Sequence, residues 1–468
     1  LLGIVVSPLP MPYREHELVE MGTQAAFRAH LTLRRFGDRH PAQEARAVQD
    51  QLPRLETVIA YGPPDTASGA TEGVLDLGPT PATDADRAAV RQRRQEDPSD
   101  PNDPVTICWT SGTENTPKGV PRCHHDWLAV AWGTTDAPRV VTEDVLLNPF
   151  PMVNMAGISG MLLPWLRTGC VLVQHHPFHL PTLLTQIAQE HITYTVAPPA
   201  LLWMLLHDEA LLAATDLSSL TRIGSGSVPL PPAMVRGWQE RFGIGVINFF
   251  GSNEGVGLLC SPADVADPDE RARYFPRYGA PGVTWSTRVA EWVGVRLVDL
   301  VTGQDITEPG RPGELRISGP TVFAGYLHGA QRASPFDERG WLRSGDLFEI
   351  AGERGEYLRF LDRVTDVVIR GGANIAPAEL EGLIGQHPAV SDVAVIGDPD
   401  PVLGERVAAV VTLHPGTELT LAELVGFLRG HRVASFKLPE RLEVRDVLPR
   451  NPVGKILRRG LRPPAPAQ

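Results

Sequence analysis

Lysine is the residue that this sequence lacks most clearly. The chain of 468 residues has 43 lysines and arginines together, but only three are lysine: Lys118, Lys437 and Lys455. The two cations are not interchangeable at a binding site, because lysine offers a compact and strongly hydrated ammonium. Two of the three adjoin a glycine, in Lys118-Gly119 and Gly454-Lys455. We therefore interpret Lys118 and Lys455 as candidate site residues.

Cysteine, long apolar runs and excess positive charge are also lacking. The four cysteines are scattered without metal-site spacing, which favours reduced thiols in a cytoplasmic protein. No apolar run is long enough for an integral membrane segment. The net charge of −12 argues against nucleic acid as a partner, because its phosphates would be repelled. The chain length and the 42% hydrophobic content predict a globular protein of two or three domains.

A loop rich in hydroxyl groups and glycine follows a short apolar run. Residues 105–109 form an apolar run typical of a buried strand, and Thr110, Ser111, Gly112 and Thr113 come next. Successive backbone N–H groups in a tight turn form an anion-binding concavity, to which the hydroxyls and Lys118 add donors and charge. The Gly-Lys-Ser/Thr ending of a Walker loop is absent. An ordinary surface loop has the same composition, so the retained lysine is what favours a phosphate site.

Six sequence blocks in order resemble the adenylate-forming superfamily, which includes acyl-CoA synthetases, peptide-synthetase adenylation domains and luciferases. They are TSGTENTPKG at 110–119, FGSNE at 250–254, SGD at 344–346, DR at 362–363, GGANI at 371–375 and PVGK at 452–455. Each block alone is a weak signal, but six in order over nearly the whole chain are a strong one. The resemblance is closest to acyl-CoA synthetases for short- or medium-chain or cyclic carboxylic acids, such as cyclohexanecarboxylate-CoA ligase.

The resemblance implies an α/β fold in two domains. Residues 1–361 would form a large N-terminal ATP- and acyl-binding domain of mixed sheets and helices. Residues 364–468 would form a small, mobile α+β C-terminal domain that carries the catalytic lysine. The usual hinge residue, Asp or Lys, is Thr365 here. The chain starts without Met, and the family's usual first elements are missing, so we expect a fragment or a fold that has lost its N-terminal portion.

The resemblance also assigns ATP-binding residues. The hydroxyl-rich loop would hold the phosphates, a glycine-rich segment and an aromatic ring would hold adenine, and an Asp–Arg pair would hold the ribose. The expected set is Thr110, Ser111, Gly112, Thr113, Lys118, Gly226, Ser227, Val228, Phe250, Gly251, Ser252, Asn253, Asp346 and Arg363. The family usually has Thr at the position of Asn253, whose amide can still donate a hydrogen bond.

Two residues carry the chemistry that the resemblance implies. Glu254 would bind Mg²⁺, which prefers hard oxygen ligands. Lys455 would reach the substrate carboxylate and the bridging oxygen during adenylation. In the second half-reaction Gly371 and Gly372 would line the channel for CoA.

Asn154 and Gly157 are the expected acyl-pocket residues. The family often has a histidine at the position of Asn154, and amino-acid-activating relatives have an aspartate nearby, but residues 153–160 contain neither. A buried ammonium would need a partner, so a plain carboxylic acid is favoured. We therefore predict an acyl-CoA synthetase that uses ATP, Mg²⁺ and CoA, with oligomers possible. The alternatives are an adenylating enzyme with a non-CoA acceptor and a nucleotide-binding pseudoenzyme, the latter motivated by Glu114, Asn115, Asn253 and Thr365.

Overall fold

The protein divides into two compact units. The computed structural model describes residues 3–62, 72–78, 81–110, 117–153, 155–327, 334–364, 366–370, 373–400, 402–431, 433–450 and 456–461. The first unit comprises Leu1–Val295 and Ile317–Leu342, and the second comprises Arg296–Arg316 and Arg343–Gln468. The predicted domain boundary at 361–364 lies within the second unit and stays a prediction.

The first unit contains most of the helices. They are α1 (Glu15–Gln24), α2 (Pro41–Ala47), α3 (Asp84–Glu96), α4 (His124–Asp136), α5 (Met155–Gly157), α6 (Leu163–Thr168), α7 (Leu180–Gln189), α8 (Pro199–His207), α9 (Glu209–Ala213), α10 (Pro232–Phe242) and α11 (Pro268–Arg273), with a π-helical turn at Ile158–Leu162 and 3₁₀ turns at Gln49–Gln51 and Arg288–Glu291. Local sequence sets their ends. Helix α10, for example, begins at Pro232, whose missing N–H costs nothing there, and stops at Gly243 in the left-handed region.

All but the last of the strands of the first unit form two sheets and a hairpin. They are β1 (Ala29–Leu33), β2 (Thr57–Tyr61), β3 (Val74–Leu77), β4 (Pro104–Thr110), β5 (Lys118–Cys123), β6 (Val145–Asn148), β7 (Val171–Gln174), β8 (Tyr194–Val196), β9 (Arg222–Gly226), β10 (Gly245–Gly251), β11 (Val256–Cys260) and β12 (Tyr274–Pro276). Strands β1, β2 and β3 form a small parallel sheet, and β4 pairs with β5 in an antiparallel hairpin.

The largest sheet of the first unit has the order β11-β10-β9-β8-β6-β7. It is parallel except for the edge strand β11. Helices α7, α8 and α10 cover one face around the buried Trp238, and the other face packs against α4 through Val130 and Ile247. Because parallel strands end at the same edge, the segments after β9 and β10 come together. Both segments were predicted to bind ATP.

The amino-terminal predictions are only partly right. The apolar opening of the chain predicts a strand within residues 1–10, but among the described residues it forms only a single bridge, between Val6 and Thr106. The spacing of the apolar residues predicts a helix over Glu15–Ala29, but the helix ends at Gln24, because the chain turns at Ala26, whose φ is +50°.

The second unit holds two further sheets. Its strands are β13 (Gly294–Val298), β14 (Asp305–Ile306), β15 (Gly313–Ser318), β16 (Leu342–Ala351), β17 (Tyr357–Arg363), β18 (Val368–Arg370), β19 (Ala373–Ile375), β20 (Val390–Asp400), β21 (Gly404–Leu413) and β22 (Arg441–Val444), and its helices are α12 (Pro377–Ile384) and α13 (Leu421–Gly430), with 3₁₀ turns at Ser435–Lys437 and Arg458–Leu461. One sheet runs β17-β16-β15-β13-β14, and the other runs β19-β18-β21-β20 with β22 beside β21. The sequence predicts a helix that begins at Pro377, where the missing N–H costs nothing, and another over residues 421–428, and both are confirmed. None of the helices in the described ranges has the length and apolarity needed to cross a membrane.

Candidate active site

The predicted phosphate loop connects the two strands of the β4–β5 hairpin. Thr110, the last residue of β4, pairs directly with Lys118, the first residue of β5. The hairpin ladder therefore fixes both ends of the loop. Ser111, Gly112 and Thr113 lie outside the described residues, as do Glu114 and Asn115, and their predicted roles stay untested.

Lys118 and Glu254 are both held by Tyr326. The Lys118 ammonium lies 5.3 Å from the centre of the Tyr326 ring, within the range of a cation–π interaction. The Tyr326 hydroxyl donates a 2.9 Å hydrogen bond to Oε1 of Glu254. The predicted phosphate-binding cation and the predicted Mg²⁺ ligand thus share one aromatic side chain. Tyr326 was not predicted as a site residue, because a lone tyrosine after glycine has no distinguishing pattern.

Arg122, which was also not predicted, contacts the backbone of the residue that precedes Glu254. Its side chain is 1% exposed. It donates hydrogen bonds to the backbone oxygen of Asn253, at 3.0 Å from Nε and 2.7 Å from Nη2, and to that of Thr321, at 2.7 Å from Nη1. Burial lowers the pKa of Arg122 below the usual arginine value. The guanidinium therefore ties the turn before Glu254 to the segment that leads to Tyr326.

Asn253 connects three parts of the first unit. Its side-chain N–H donates to the Trp109 carbonyl at 3.2 Å, and its side-chain oxygen accepts the Met155 N–H at 3.1 Å. It therefore joins the end of β4 to helix α5, beside the predicted acyl pocket. Asn253 was expected to donate to ATP, a role that stays a prediction.

Of the two predicted acyl-pocket residues, Gly157 is within the described residues. Asn154 lies outside the described residues. Gly157 is buried at the end of α5, where an added Cβ would overlap the Pro151 carbonyl oxygen. A larger residue would therefore displace the turn at 151–152.

The predicted adenine-binding residues lie together at the ends of β9 and β10. Gly226 pairs with Phe249, and an added Cβ at Gly226 would overlap the Phe249 carbonyl oxygen. Ser227 adopts a left-handed φ of +73°, and Val228 is 44% exposed beyond it. Phe250 packs edge-to-face against Phe275, with 5.8 Å between ring centroids.

The turn after Phe250 leads to Glu254. Gly251 ends β10 after a shift of the strand register. The Ser252 hydroxyl accepts a 3.2 Å hydrogen bond from the Glu254 N–H, and the Glu254 carbonyl accepts one from the Phe323 N–H at 2.9 Å. Backbone contacts thus fix Glu254 on both sides.

The predicted ribose-binding residues are adjacent in the second unit. Asp346 on β16 pairs with Arg363 on β17, and Arg363 Nε lies 2.8 Å from Asp346 Oδ1. Strand pairing therefore brings together two residues 17 positions apart, as the prediction of a shared site requires. Gly371 and Gly372, the predicted CoA-channel residues, lie outside the described residues between the paired residues Arg370 and Ala373.

Lys455 also lies outside the described residues, although both flanks of its segment are described. Arg450 pairs with Ile456, and the Leu457 N–H donates to the Pro449 carbonyl at 2.8 Å. Arg458 donates to Asp366 at 3.0 Å and to both carboxylate oxygens of Glu381. The chain after Lys455 is therefore anchored beside the predicted hinge position.

Three of the four cysteines, Cys108, Cys170 and Cys260, are buried. All four are unpaired, and burial raises the pKa of Cys108 to about 11. Burial also raises the pKa of Cys170 and Cys260. Within the described ranges, no three His, Cys, Asp or Glu side chains gather as a metal site would require.

Comparison with known proteins identifies the family. The sequence profile of AMP-binding enzymes matches residues 1–327, and that of the AMP-binding enzyme C-terminal domain matches residues 379–455. The chain belongs to the AMP-binding enzyme family. An indoleacetate–CoA ligase of Aromatoleum aromaticum is 33% identical over 77% of this chain and 67% of its own length. A medium-chain fatty-acid–CoA ligase of Escherichia coli is 30% identical over 97% of this chain and 76% of its own.

Solved structures of this AMP-binding family share the fold. ATP-bound MatB from Rhodopseudomonas palustris superimposes with a TM-score of 0.75 and 25% identity, over 98% of this chain and 83% of that one. The predicted superfamily, the α/β fold with a large and a small domain, and the assignment as an acyl-CoA synthetase are confirmed.

Proposed function

We propose that this AMP-binding enzyme activates a carboxylic acid with ATP and transfers the acyl group to CoA, yielding acyl-CoA, AMP and pyrophosphate. The observation that carries the proposal is the contact of both Lys118 and Glu254 with the side chain of Tyr326, with Thr110 paired to Lys118. A cation and a carboxylate that contact one side chain suit the phosphates of ATP and their counter-ion. The alignment with CoA ligases over most of the chain supports CoA as the acceptor.

In the first half-reaction a carboxylate oxygen of the acid attacks the α-phosphorus of ATP, and the bond to pyrophosphate breaks. Negative charge grows on the phosphate oxygens, so fixed donors and cations lower the barrier. Lys118 and Thr110 would supply them at the base of the loop. Glu254 has the donor chemistry that fits Mg²⁺, because it is a partly exposed carboxylate with one oxygen oriented by Tyr326. Mg²⁺ would offset the charge of the phosphates.

In the second half-reaction the CoA thiolate attacks the acyl carbon and AMP leaves. Lys455 is proposed to contact the substrate carboxylate and the bridging oxygen in the first half-reaction only. Gly371 and Gly372 are proposed to line the channel for CoA in the second. Asp346 and Arg363 are proposed to hold the ribose through the carboxylate and guanidinium that the strand pair presents.

The proposed substrate is a carboxylic acid whose acyl group carries no charge and is either of medium length or cyclic. Support comes from the absence of any acidic residue among positions 153–160, where an amino acid's ammonium would need one, and from the relatives' own substrates. We also propose that the enzyme acts in the cytoplasm, in keeping with its unpaired thiols.

The test is pyrophosphate release from MgATP with linear, cyclic and aromatic acids, with and without CoA. We expect release that depends on the class of acid and is accelerated by CoA. Glu254→Gln should lose this release while Glu353→Gln, an exposed acid of the second unit, should retain it. ATP binding without release for any acid would contradict the enzyme and favour a pseudoenzyme, and release that CoA leaves unchanged would favour another acceptor.

A further inference from the structure

Arg122 is a buried cation whose described partners are backbone carbonyls. At 1% exposure it ranks among the largest fully buried side chains of the described chain. Its three hydrogen bonds, between 2.7 and 3.0 Å, go to the carbonyls of Asn253 and Thr321. Its guanidinium also lies 5.9 Å from the Trp127 ring centre.

Burying a guanidinium is costly, since the desolvation of one ion amounts to several kcal/mol. A methionine or leucine would fill the same space without that cost. Packing alone therefore does not explain why an arginine occupies this buried position. Its planar fork of donors binds two chain segments at once in a fixed geometry, which a hydrophobic side chain does not do.

The two segments are those that present Glu254 and Tyr326. Asn253 directly precedes Glu254, and Thr321 starts the stretch that reaches Tyr326. The Phe323 N–H donates to the Glu254 carbonyl at 2.9 Å, so the segments are also joined to each other. Loss of the guanidinium would leave three hydrogen bonds to these carbonyls unmade in a dry interior.

Strand β5 connects Arg122 to the phosphate loop. Side chains two apart on a strand share a face, so Lys118, Val120 and Arg122 lie on one face of β5. Val120 is fully buried and packs in a cluster with Phe323. The same face therefore carries the loop lysine at one end and the guanidinium at the other.

We propose that Arg122 is a positioning residue that fixes the Glu254 carboxylate relative to Tyr326 and Lys118, and thereby sets the affinity of the site for the Mg²⁺–nucleotide complex. This inference rests on the proposed function. Arg122 does not touch the nucleotide; it acts through the turn that carries Glu254.

Arg271 supplies a matched control. It is 0% exposed and donates to the backbone carbonyls of Val246 at 2.8 Å, Val265 at 2.7 Å and Ala266 at 3.0 Å, and also to the side-chain oxygen of Gln239. Burial lowers its pKa, as it does for Arg122. None of its described hydrogen-bond partners is a predicted site residue. Substitution of either arginine by methionine removes a buried guanidinium that donates to backbone carbonyls. Comparison of the two variants therefore separates effects on the site from general destabilisation.

The experiment is calorimetric titration with an ATP analogue that carries a methylene group between the α- and β-phosphorus atoms, with Mg²⁺ and with chelator. We expect Arg122→Met to weaken binding about tenfold with Mg²⁺ and less than about twofold without it. Arg271→Met should lower Tm comparably and leave both affinities within about twofold. Arg122→Lys, which keeps the charge and part of the donor set, should recover a part of the loss.

A double-variant cycle adds a second measurement. In a Glu254→Gln background, Arg122→Met should cost much less affinity, because residues that act through one group are not additive. Equal losses with and without Mg²⁺, or the same losses in Arg271→Met, would refute the positioning role. If Arg122→Met does not fold, Arg122→Lys and Arg271→Lys provide the same comparison. Failure of the proposed function can be told apart from failure of the positioning role. In the first case the wild-type protein itself would show no Mg²⁺-dependent binding and no pyrophosphate release.

Discussion

Substitution of Arg458 by methionine should destabilise the second unit at neutral pH and much less in mild acid. Arg458 is 14% exposed; it contacts Asp366 at 3.0 Å and the Glu381 oxygens at 2.9 and 2.7 Å. Removing one partner of a buried ion pair typically costs about 3–5 kcal/mol. Because some exposure remains, we expect about 3 kcal/mol, which corresponds to a fall in Tm on the order of 10 °C.

The pH dependence follows from the neighbouring carboxyl groups. Burial raises the pKa of Glu381 and of Asp362, and Arg458 opposes both shifts. Without Arg458 both pKa values should rise further. A carboxyl group with a higher pKa in the folded state destabilises the fold above that value, and the penalty disappears as the pH falls to the unfolded-state value. The cost of Arg458→Met should therefore be largest near pH 8 and shrink as the pH falls toward the ordinary glutamate range.

The assay is denaturant unfolding of both proteins at several pH values between about 8 and 5. Arg441→Met is the control, because Arg441 also contacts two carboxylates, Asp398 and Glu443, but is 36% exposed. Exposed ion pairs contribute up to about 1 kcal/mol, so this variant should be only mildly destabilised. A cost below about 1 kcal/mol for Arg458→Met near pH 8, or one that does not change with pH, would refute the reasoning.

Three further predictions concern the site and the core. Lys455→Ala should abolish acyl-adenylate formation while leaving thioester formation from supplied acyl-adenylate largely intact, measured as separate half-reactions; equal loss of both would contradict the proposed role. Gly226→Ala should weaken ATP binding about tenfold in calorimetry, because the added Cβ overlaps the Phe249 carbonyl oxygen, whereas Gly382→Ala, which has open space, should not. Trp238→Ala should lower the free energy of unfolding by about 3–5 kcal/mol, since the ring is fully buried; a loss below about 1 kcal/mol in denaturant unfolding would disprove its role in the core.

Sequence reasoning succeeded where the signal is local. The strand predicted over residues 105–109 is β4, and the helix predicted from Pro377 is α12. Both depend on neighbouring residues alone, through an apolar run and a proline at a helix start. Thr110 and Lys118 are close in sequence, so their joint placement could also be anticipated.

Contacts between distant segments could not be predicted in this way. Arg122 and Thr321 are 199 positions apart, and arginine is so common here that one more carries no signal. The burial of Arg122 depends on how the β4–β5 hairpin packs against distant segments, and the residues near Arg122 in sequence do not determine that packing. Asn253 shows the same limit: its type allowed a contact to ATP, but the fold also uses both ends of its amide for Trp109 and Met155.

The division of the chain has a consequence for experiments that exchange parts between relatives. The backbone passes from one unit to the other three times, after Val295, after Arg316 and after Leu342. A splice at residue 361 would fall inside β17, so a hybrid protein would take paired strands of one sheet from two different parents. Side chains selected in one parent would then pack against those selected in the other. Hybrids should keep their stability best when residues 296–316 are transferred together with residues 343–468.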